Sequence, residues 1–335
     1  IIEKAFELGL MTPQVPKVCS GKRVAVVGSG PSGLALADML NRRGHEVCVF
    51  EREDMPGGLL MYGIPNMKLD KKIIRRRIRL MKEEGVSFHT NMNVGEDISF
   101  EELKEHFDAV ALCTGSKKAR SIFEGDSGIE GVDYAVDFLS EITKRLMLDV
   151  PLPDLHGKKV IVVGGGDTGN DCCGTVVRLG CADVVQLEMM PEPPETRGED
   201  NPWPEWPKVK KTDYGQQEVM FVEGHDPRRY KTTVESVDLE EGVLKAVHTC
   251  LVDMTPNGPA KVEGSDQVLE CDLMLIAAGF VGIEDYVKEM TGLETTRRNT
   301  FKTLPLHYRC GEEDKVFAAG DARRGQSLVV WAIHE

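Results

Sequence analysis

Two stretches of this chain carry the same glycine spacing behind the same kind of strand. Val24-Ala25-Val26-Val27 runs into Gly28-Ser29-Gly30-Pro31-Ser32-Gly33, and Val160-Ile161-Val162-Val163 runs into Gly164-Gly165-Gly166-Asp167-Thr168-Gly169. Each reads G-x-G-x-x-G between an apolar strand and a helix. There the first glycine makes the tight turn, the second lets a pyrophosphate approach the backbone, and the third lets the helix pack on the strand. The pyrophosphate sits on a helix N-terminus, where unpaired N–H groups and the helix dipole favour an anion. One such spacing is weak, since a plain strand-to-helix turn without a ligand also uses it. Two at corresponding places in two α/β units point to two dinucleotides on one chain, the usual arrangement for electron transfer from a nicotinamide to a flavin. Glu51 ends the strand Val47-Cys48-Val49-Phe50, close to the ~20 residues after the glycines at which an acid takes a ribose hydroxyl. Glu188 follows Val184-Val185-Gln186-Leu187 at a similar distance from the second set.

At 335 residues the expectation is about two domains. A hydrophobic content of 41% with 29% charged residues is that of an ordinary globular chain. The net charge of −14 argues against nucleic acid as a partner, since nothing offsets phosphate repulsion. No stretch is long enough for a bilayer, which needs roughly 20 apolar residues. The start carries no signal-peptide pattern, and a cytoplasmic location is expected. The nine cysteines form no C-x-x-C and the eight histidines no ligand spacing, so no metal site is expected. Cys172-Cys173 reads as packing. Lys71, Lys72, Arg75, Arg76, Arg77, Arg79 and Lys82 surround Ile74, Ile78 and Met81 at helical spacing, which gives an amphipathic helix. Its cationic face reads first as solvated and second as a dock for an acidic partner.

The chain pattern divides into a short N-terminal helix and linker at 1–20, a first unit at 21–116 resumed at 300–335, and a second unit at 117–299. Asp108 to Gly115 reads as a buried strand, and Leu273 to Gly279 is its counterpart in the second unit. Val219 to Glu223 and several loosely alternating strands from Thr232 to Val268 lie between. Val316-Phe317-Ala318-Ala319-Gly320-Asp321 is an apolar strand ending in Gly-Asp and reads as the return to the first unit. A carboxylate there can accept hydrogen bonds from a sugar-alcohol chain, and the following helix N-terminus can face a flavin ring carbonyl. Residue 1 is Ile, and the chain stops in what reads as a helix with no terminating signal, so it is expected to be a core cut from a longer protein.

Together these residues resemble the two-dinucleotide flavoprotein class of the glutathione reductase and adrenodoxin reductase type, α/β throughout, with two Rossmann-like domains and the nicotinamide domain inserted into the FAD domain. Within it, Phe50 to Asp54, Gly57 to Lys71, Gly164 to Cys172, Met190 to Pro207 and Phe317 to Ala332 are similar to the small (beta) subunit of bacterial glutamate synthase. The segment Asn201-Pro202-Trp203-Pro204-Glu205-Trp206-Pro207 is the most specific. The family's N-terminal cysteine-rich region, which binds iron–sulfur clusters, has no counterpart here.

The resemblance implies an NADPH-oxidising flavoprotein that hands electrons, through iron–sulfur clusters lying outside this chain, to a glutamate synthase large subunit as protein partner. It implies FAD held by Gly28, Ser29, Gly30, Pro31, Ser32, Gly33, Glu51, Arg52, Gly58, Leu59, Thr114, Gly115, Gly320, Asp321, Ser327 and Leu328. For NADPH it implies Gly164, Gly166, Asp167, Thr168, Gly279 and Arg197, the last placed to fork onto a 2′-phosphate. No catalytic acid or base is assigned, because hydride transfer needs positioning. Two other readings stay open: the NADPH-handling subunit of a ferredoxin-linked transhydrogenase, whose sequence would lack the Pro-Trp-rich segment, and a non-catalytic dinucleotide-binding redox sensor.

Overall fold

The computed structural model describes Ile1 to Glu335 apart from Asn257, Leu306 and Glu312. The chain opens with α1 (Ile2–Glu7), then runs through β1 (Arg23–Val27), α2 (Pro31–Arg42), β2 (Glu46–Phe50), α3 (Lys71–Glu83), β3 (Ser87–His89), α4 (Phe100–His106) and β4 (Ala109–Leu112). It continues through β5 (Val132–Tyr134), α5 (Ala135–Leu148), β6 (Lys159–Val163), α6 (Asp167–Arg178), β7 (Asp183–Leu187), α7 (Tyr214–Glu223) and β8 (Arg228–Arg229). Next come the strands β9 (Thr232–Glu240), β10 (Val243–Thr255), β11 (Gly258–Lys261), β12 (Gln267–Glu270) and β13 (Leu273–Ile276). The last elements are α8 (Asp285–Thr291), β14 (Val316–Ala318), α9 (Asp321–Arg324) and α10 (Val329–His334). No helix among the described residues is long and apolar enough to cross a membrane.

The chain divides into two units: Ile1–Tyr62 with Asn66–Ala119 and Phe280–Glu335, and Gly63–Pro65 with Arg120–Gly279. The first unit is built on a parallel sheet of order β14-β4-β1-β2-β3. Alternate residues of its strands feed two cores, one on each face. Ala25, Val27, Phe50, Leu112 and Val316 belong to one. Val26, Val47, Val49, Ala111 and Ala319 belong to the other, with Ala37 and Met81 from α2 and α3. Both faces are covered by apolar packing, which is why these strands read as unbroken Val/Ala runs. Each fully buried Val, Leu or Phe contributes about 1.5–3 kcal/mol. β14 pairs with β4 in parallel, so the Gly320-Asp321 end returns to the first sheet.

Residues 280–299, read from sequence as second-unit, belong to the first. Ile283 and Val287 are buried in its core, Gly282 N–H donates to Ser116 Oγ at 3.1 Å, and Lys118 pairs with Asp285 at 2.8 Å. The short apolar face of α8 decides its location, and nothing in its spacing reports which sheet receives it.

The cationic helix is α3, with Asp70 as its N-cap accepting from Lys72 N–H at 2.9 Å. Ile74, Ile78 and Met81 are buried. Its basic face is only partly solvated. Arg76 pairs with Glu3 at 2.6 Å and covers the Phe6 ring at 3.6 Å, so it fastens α1, and Arg77 pairs with Asp38 at 2.8 Å.

The second unit has a parallel sheet of order β5-β13-β6-β7-β8 and an antiparallel sheet in which β10 pairs with β9, β11 and β12. Val160, Val162, Val184 and Leu275 pack with α5 and α6, and Cys172 and Cys173 are fully buried there. Burial pushes both thiols up, so they pack as small apolar groups. The opposite face, Ile161, Val185, Leu187 and Met274, packs on Val234, Leu244 and Val247 of the antiparallel sheet.

A buried polar chain ties α7 to the start of α6. Gln216 Nε2 donates to Gln186 Oε1 at 3.0 Å, and Gln186 Nε2 donates to Gly164 O at 2.9 Å. Gln216 N–H donates to Asn170 Oδ1 at 3.1 Å. Buried amides of this kind cost stability when a partner is removed. Gln216→Ala strands the Gln186 oxygen and should cost about 1–3 kcal/mol, lowering the melting temperature by about 2–4 °C for each kcal/mol. An unchanged melt would mean that the chain of amides carries no stability.

Candidate functional site: two glycine turns

In the first unit the chain leaves β1 through Gly28 at φ +97°, a conformation L side chains rarely adopt. A Cβ there would lie 2.5 Å from Cys113 O. One at Gly33 would run into Gly28 O, so α2 crosses against the turn with no room for a side chain. A Cβ on Gly30, by contrast, would meet nothing within 4 Å. Gly30 is the N-cap of α2 and offers no side-chain cap, and Pro31 opens the helix. Helices α3, α4 and α7 have their first N–H groups answered by Asp70, Ser99 and Asp213. The α2 terminus keeps its N–H groups and its positive dipole end for something else.

Glu51 is buried at the end of β2. Its Oε2 accepts from Ser29 N–H at 3.1 Å and from Ser29 Oγ, and its Oε1 accepts from Glu53 N–H at 2.9 Å. Ser29 Oγ in turn accepts from Gly57 N–H at 2.9 Å, which draws the Gly58–Leu60 turn, with Leu59 at its centre, over Gly30. Thr114 and Gly115 follow β4 beside Gly28, and Thr114 Oγ1 is buried with no hydrogen-bond partner. Gly320 lies against Ser32 at 2.6 Å from where its own Cβ would stand. Asp321 opens α9 and accepts from Ser327 Oγ at 2.6 Å; burial pushes its carboxyl above the usual range. Leu328 is the N-cap of α10 and is exposed. Burial also raises the Cys113 thiol to about 12, and Ser32 Oγ faces its sulfur.

Glu51, Gly58, Thr114 and Gly320 thus converge on the glycine turn and the start of α2 from four separate segments. Arg52 points elsewhere: its Nη1 donates to Glu284 Oε1 at 3.1 Å and to Tyr286 Oη at 3.0 Å. The open helix end, the room above Gly30 and the orphaned Thr114 hydroxyl fit a dinucleotide pyrophosphate and sugar.

The second unit repeats the geometry. Gly164 has φ +129°, and a Cβ there would strike Ala277 O; one at Gly169 would strike Gly164 O. Gly166 is the N-cap of α6 without a side-chain cap, and a Cβ on it would meet nothing within 4 Å. Asp167 and Thr168 form the first turn of α6, and Gly279 follows β13 at φ +82°. Glu188 closes over Gly165, whose Cβ would collide with its carboxylate, and accepts from Met190 N–H at 2.7 Å.

Arg197 lies in the Pro-Trp loop. Its Nη1 donates to Asn201 O at 3.0 Å and Glu205 O at 2.9 Å. Asn201 is buried at the loop's centre, accepting from Lys208 N–H at 2.8 Å and donating to Trp206 O at 3.0 Å. Trp203 and Trp206 project outward, 83% and 77% exposed. Sequence reasoning missed Asn201 and the Gln186–Gln216 pair. The available signal was Gln186 itself, a lone amide in the middle of an apolar strand.

A family model described as pyridine nucleotide-disulphide oxidoreductase matches residues 22–335. The chain is 46% identical to the glutamate synthase (NADPH) small chain of Bacillus subtilis over 345 residues, covering all of this chain and 70% of that protein. It is also 46% identical over 344 residues to the glutamate synthase (NADH) of Saccharomyces cerevisiae, of whose length it spans only 16%. Among solved structures it is similar to Mycobacterium tuberculosis FprA in complex with NADPH, with a TM-score of 0.71 at 18% identity over 93% of this chain and 82% of that one. That likeness shows a shared fold. With the family model matched from residue 22 to the end and the small-chain relative covered over more than two thirds of its length, the chain belongs to the pyridine nucleotide-disulphide oxidoreductases, in the glutamate synthase small-chain family.

Proposed function

We propose that this chain passes a hydride from NADPH to FAD and supplies electrons, through iron–sulfur clusters outside it, to a glutamate synthase large subunit that forms glutamate from glutamine and 2-oxoglutarate. The observation that carries the reading is the repeated glycine turn: two helix N-termini without side-chain caps, each beside a carboxylate at the end of the neighbouring strand. The names of the relatives supply the reaction class. Bound FAD supplies a ring that accepts a hydride, and alignment matters there more than proton transfer.

Gly28, Gly30 and Gly33 leave room for the FAD pyrophosphate at α2. Glu51 holds the turn through Ser29 and offers its remaining lone pairs to a ribose. Gly58, Leu59, Thr114, Gly115, Gly320, Asp321 and Ser327 border the same helix end. In the second unit Gly164, Gly166, Asp167, Thr168 and Gly279 border the nicotinamide dinucleotide. A second reading, NADH as donor, rests on Glu188. Its carboxylate over Gly165 suits a ribose diol and repels a 2′-phosphate, and the relatives of equal identity are named for NADPH and for NADH.

Heat-released flavin should run as FAD on chromatography; FMN would remove the role of the Glu51 side in binding an adenosine ribose. Glu51→Ala should weaken FAD by about 1.5–3 kcal/mol, the worth of hydrogen bonds to a charged group, read by flavin fluorescence on titration; unaltered affinity would exclude Glu51 from the site.

Anaerobic mixing with excess NADPH in a stopped-flow cell should bleach the flavin band, and ferricyanide should sustain turnover. Oxidised FAD after such mixing would defeat the proposed donor–acceptor pair. Glutamate should not form from glutamine and 2-oxoglutarate with this chain alone.

Arg197→Ala should raise the KM for NADPH and leave that for NADH nearly unchanged if the guanidinium meets the 2′-phosphate. An equal rise in both would assign it to holding the Pro-Trp loop through Asn201 and Glu205. Glu188→Ala should raise the KM for NADH and lower that for NADPH if the second reading holds.

A further inference from the structure

At the edge of the second unit, away from its glycine turn, three potential ligands meet. Asp183 is the first residue of β7, Glu223 the last of α7, and His225 follows the left-handed Gly224 that ends α7. One ligand atom from each lies within 4.8 Å of the others. The Glu188 end of β7 meets the glycine turn; Asp183 sits five residues earlier, about 16 Å away at the rise of a strand.

The contacts are long for hydrogen-bonded ion pairs, though within ion-pair reach. His225 Nε2 is 3.5 Å from Asp183 Oδ1 and 3.4 Å from Glu223 Oε2. Both exceed the about 2.7–2.9 Å of a charge-assisted hydrogen bond. They match the separation of about 3.3 Å between ligands bound at about 2.0–2.1 Å to a tetrahedral ion. The other ring nitrogen, Nδ1, faces Asp226 O at 3.4 Å, a carbonyl that can accept from Nδ1–H in the tautomer that presents Nε2 to an ion. Two further facts favour a cation here, beside a Glu223 Oε2 that accepts from Val184 N–H at 3.3 Å. The Glu223 side chain is 8% exposed, and its Oε1 is buried with no hydrogen-bond partner. Among the described residues His225 is the one basic group within 4 Å of either carboxylate. Arg228 pairs with Asp226 at 2.7 Å, and Lys210 pairs with Glu192 and Asp226. Asp183 and His225 remain 44% and 50% exposed, which leaves a side open for water as a fourth ligand and for the ion to reach the site.

We propose that Asp183, Glu223 and His225 bind one divalent transition-metal ion of the zinc class. The set is one imidazole and two carboxylates, borderline to hard donors that suit Zn²⁺ or Co²⁺ and disfavour Cu⁺. The ion ties the start of β7 to the end of α7, the helix whose Gln216 reaches the glycine turn through Gln186. It braces the second unit and takes no part in hydride transfer.

The test uses the full chain stripped with a chelator, titrated with ZnCl₂ by calorimetry and with CoCl₂ by visible absorption. One zinc per chain should bind with micromolar affinity and raise the melting temperature. His225→Ala and Glu223→Gln should each weaken it at least about tenfold, with metal-free melts and circular dichroism reporting that each variant is folded. Should either fail to fold, Asp183→Asn takes its place. The cobalt spectrum should lack sulfur-to-metal charge-transfer absorption. The proposal is overturned by binding only at millimolar metal, by equal binding in the His225 variant, or by a thiolate band, which would transfer the ion to a cysteine such as neighbouring Cys181.

Discussion

Everything at both sites depends on one steric fact, the approach of a strand-end carbonyl to the first glycine of each turn. Cys113 O stands 2.5 Å from where a Cβ on Gly28 would lie, and Ala277 O stands closer still to that position on Gly164. β1 neighbours β4, and β6 neighbours β13, so each turn is made at the centre of its sheet, where both flanking strands are fixed. Any side chain at either position would push the turn from its neighbour and rotate the helix that follows. The N-termini of α2 and α6 are therefore aimed by backbone packing. Their N–H groups lack a side-chain cap because glycine stands where α3, α4 and α7 have Asp or Ser.

Around that shared frame the two units differ in how the acid at the neighbouring strand end is used. Glu51 is buried and holds Ser29 and the backbone at Glu53, which lets it organise the loop that carries Gly57 and Gly58. Glu188 lies over Gly165 and caps Met190 N–H at the start of the Pro-Trp loop. A carboxylate engaged on two sides by its own chain fixes the shape of the loop around it as well as the local charge. Under the proposed function, the same difference would make nucleotide choice at the second turn a matter of Glu188 and Arg197 together.

Much of this was legible in the sequence, because glycine spacing and apolar runs report local sterics directly. The two turns, Glu51, the β4 and β14 strand ends and the α3 helix all follow from patterns a few residues long. What escaped was non-local. The 280–299 segment joins the first unit through Ile283 and Val287, two residues whose spacing says nothing of their destination. Arg76 turned out to clamp α1 through Glu3 and Phe6, a contact 73 residues away in sequence. The side-chain amides of Gln186 and Gln216 bond to one another, and Asn170 Oδ1 accepts from the Gln216 backbone N–H, contacts that no local pattern reports. Arg197 was read for its charge, whereas its Nη1 holds two loop carbonyls.

The central claim, that one chain holds two dinucleotides on two equivalent helix ends, is tested most directly by crystallising it with FAD and oxidised nicotinamide nucleotide. The expected result is a pyrophosphate at the N-terminus of α2 and a second at that of α6, each within hydrogen-bond reach of the backbone N–H groups after Gly28 and Gly164. Density for a pyrophosphate at only one helix end, with saturating amounts of both nucleotides present, would contradict it.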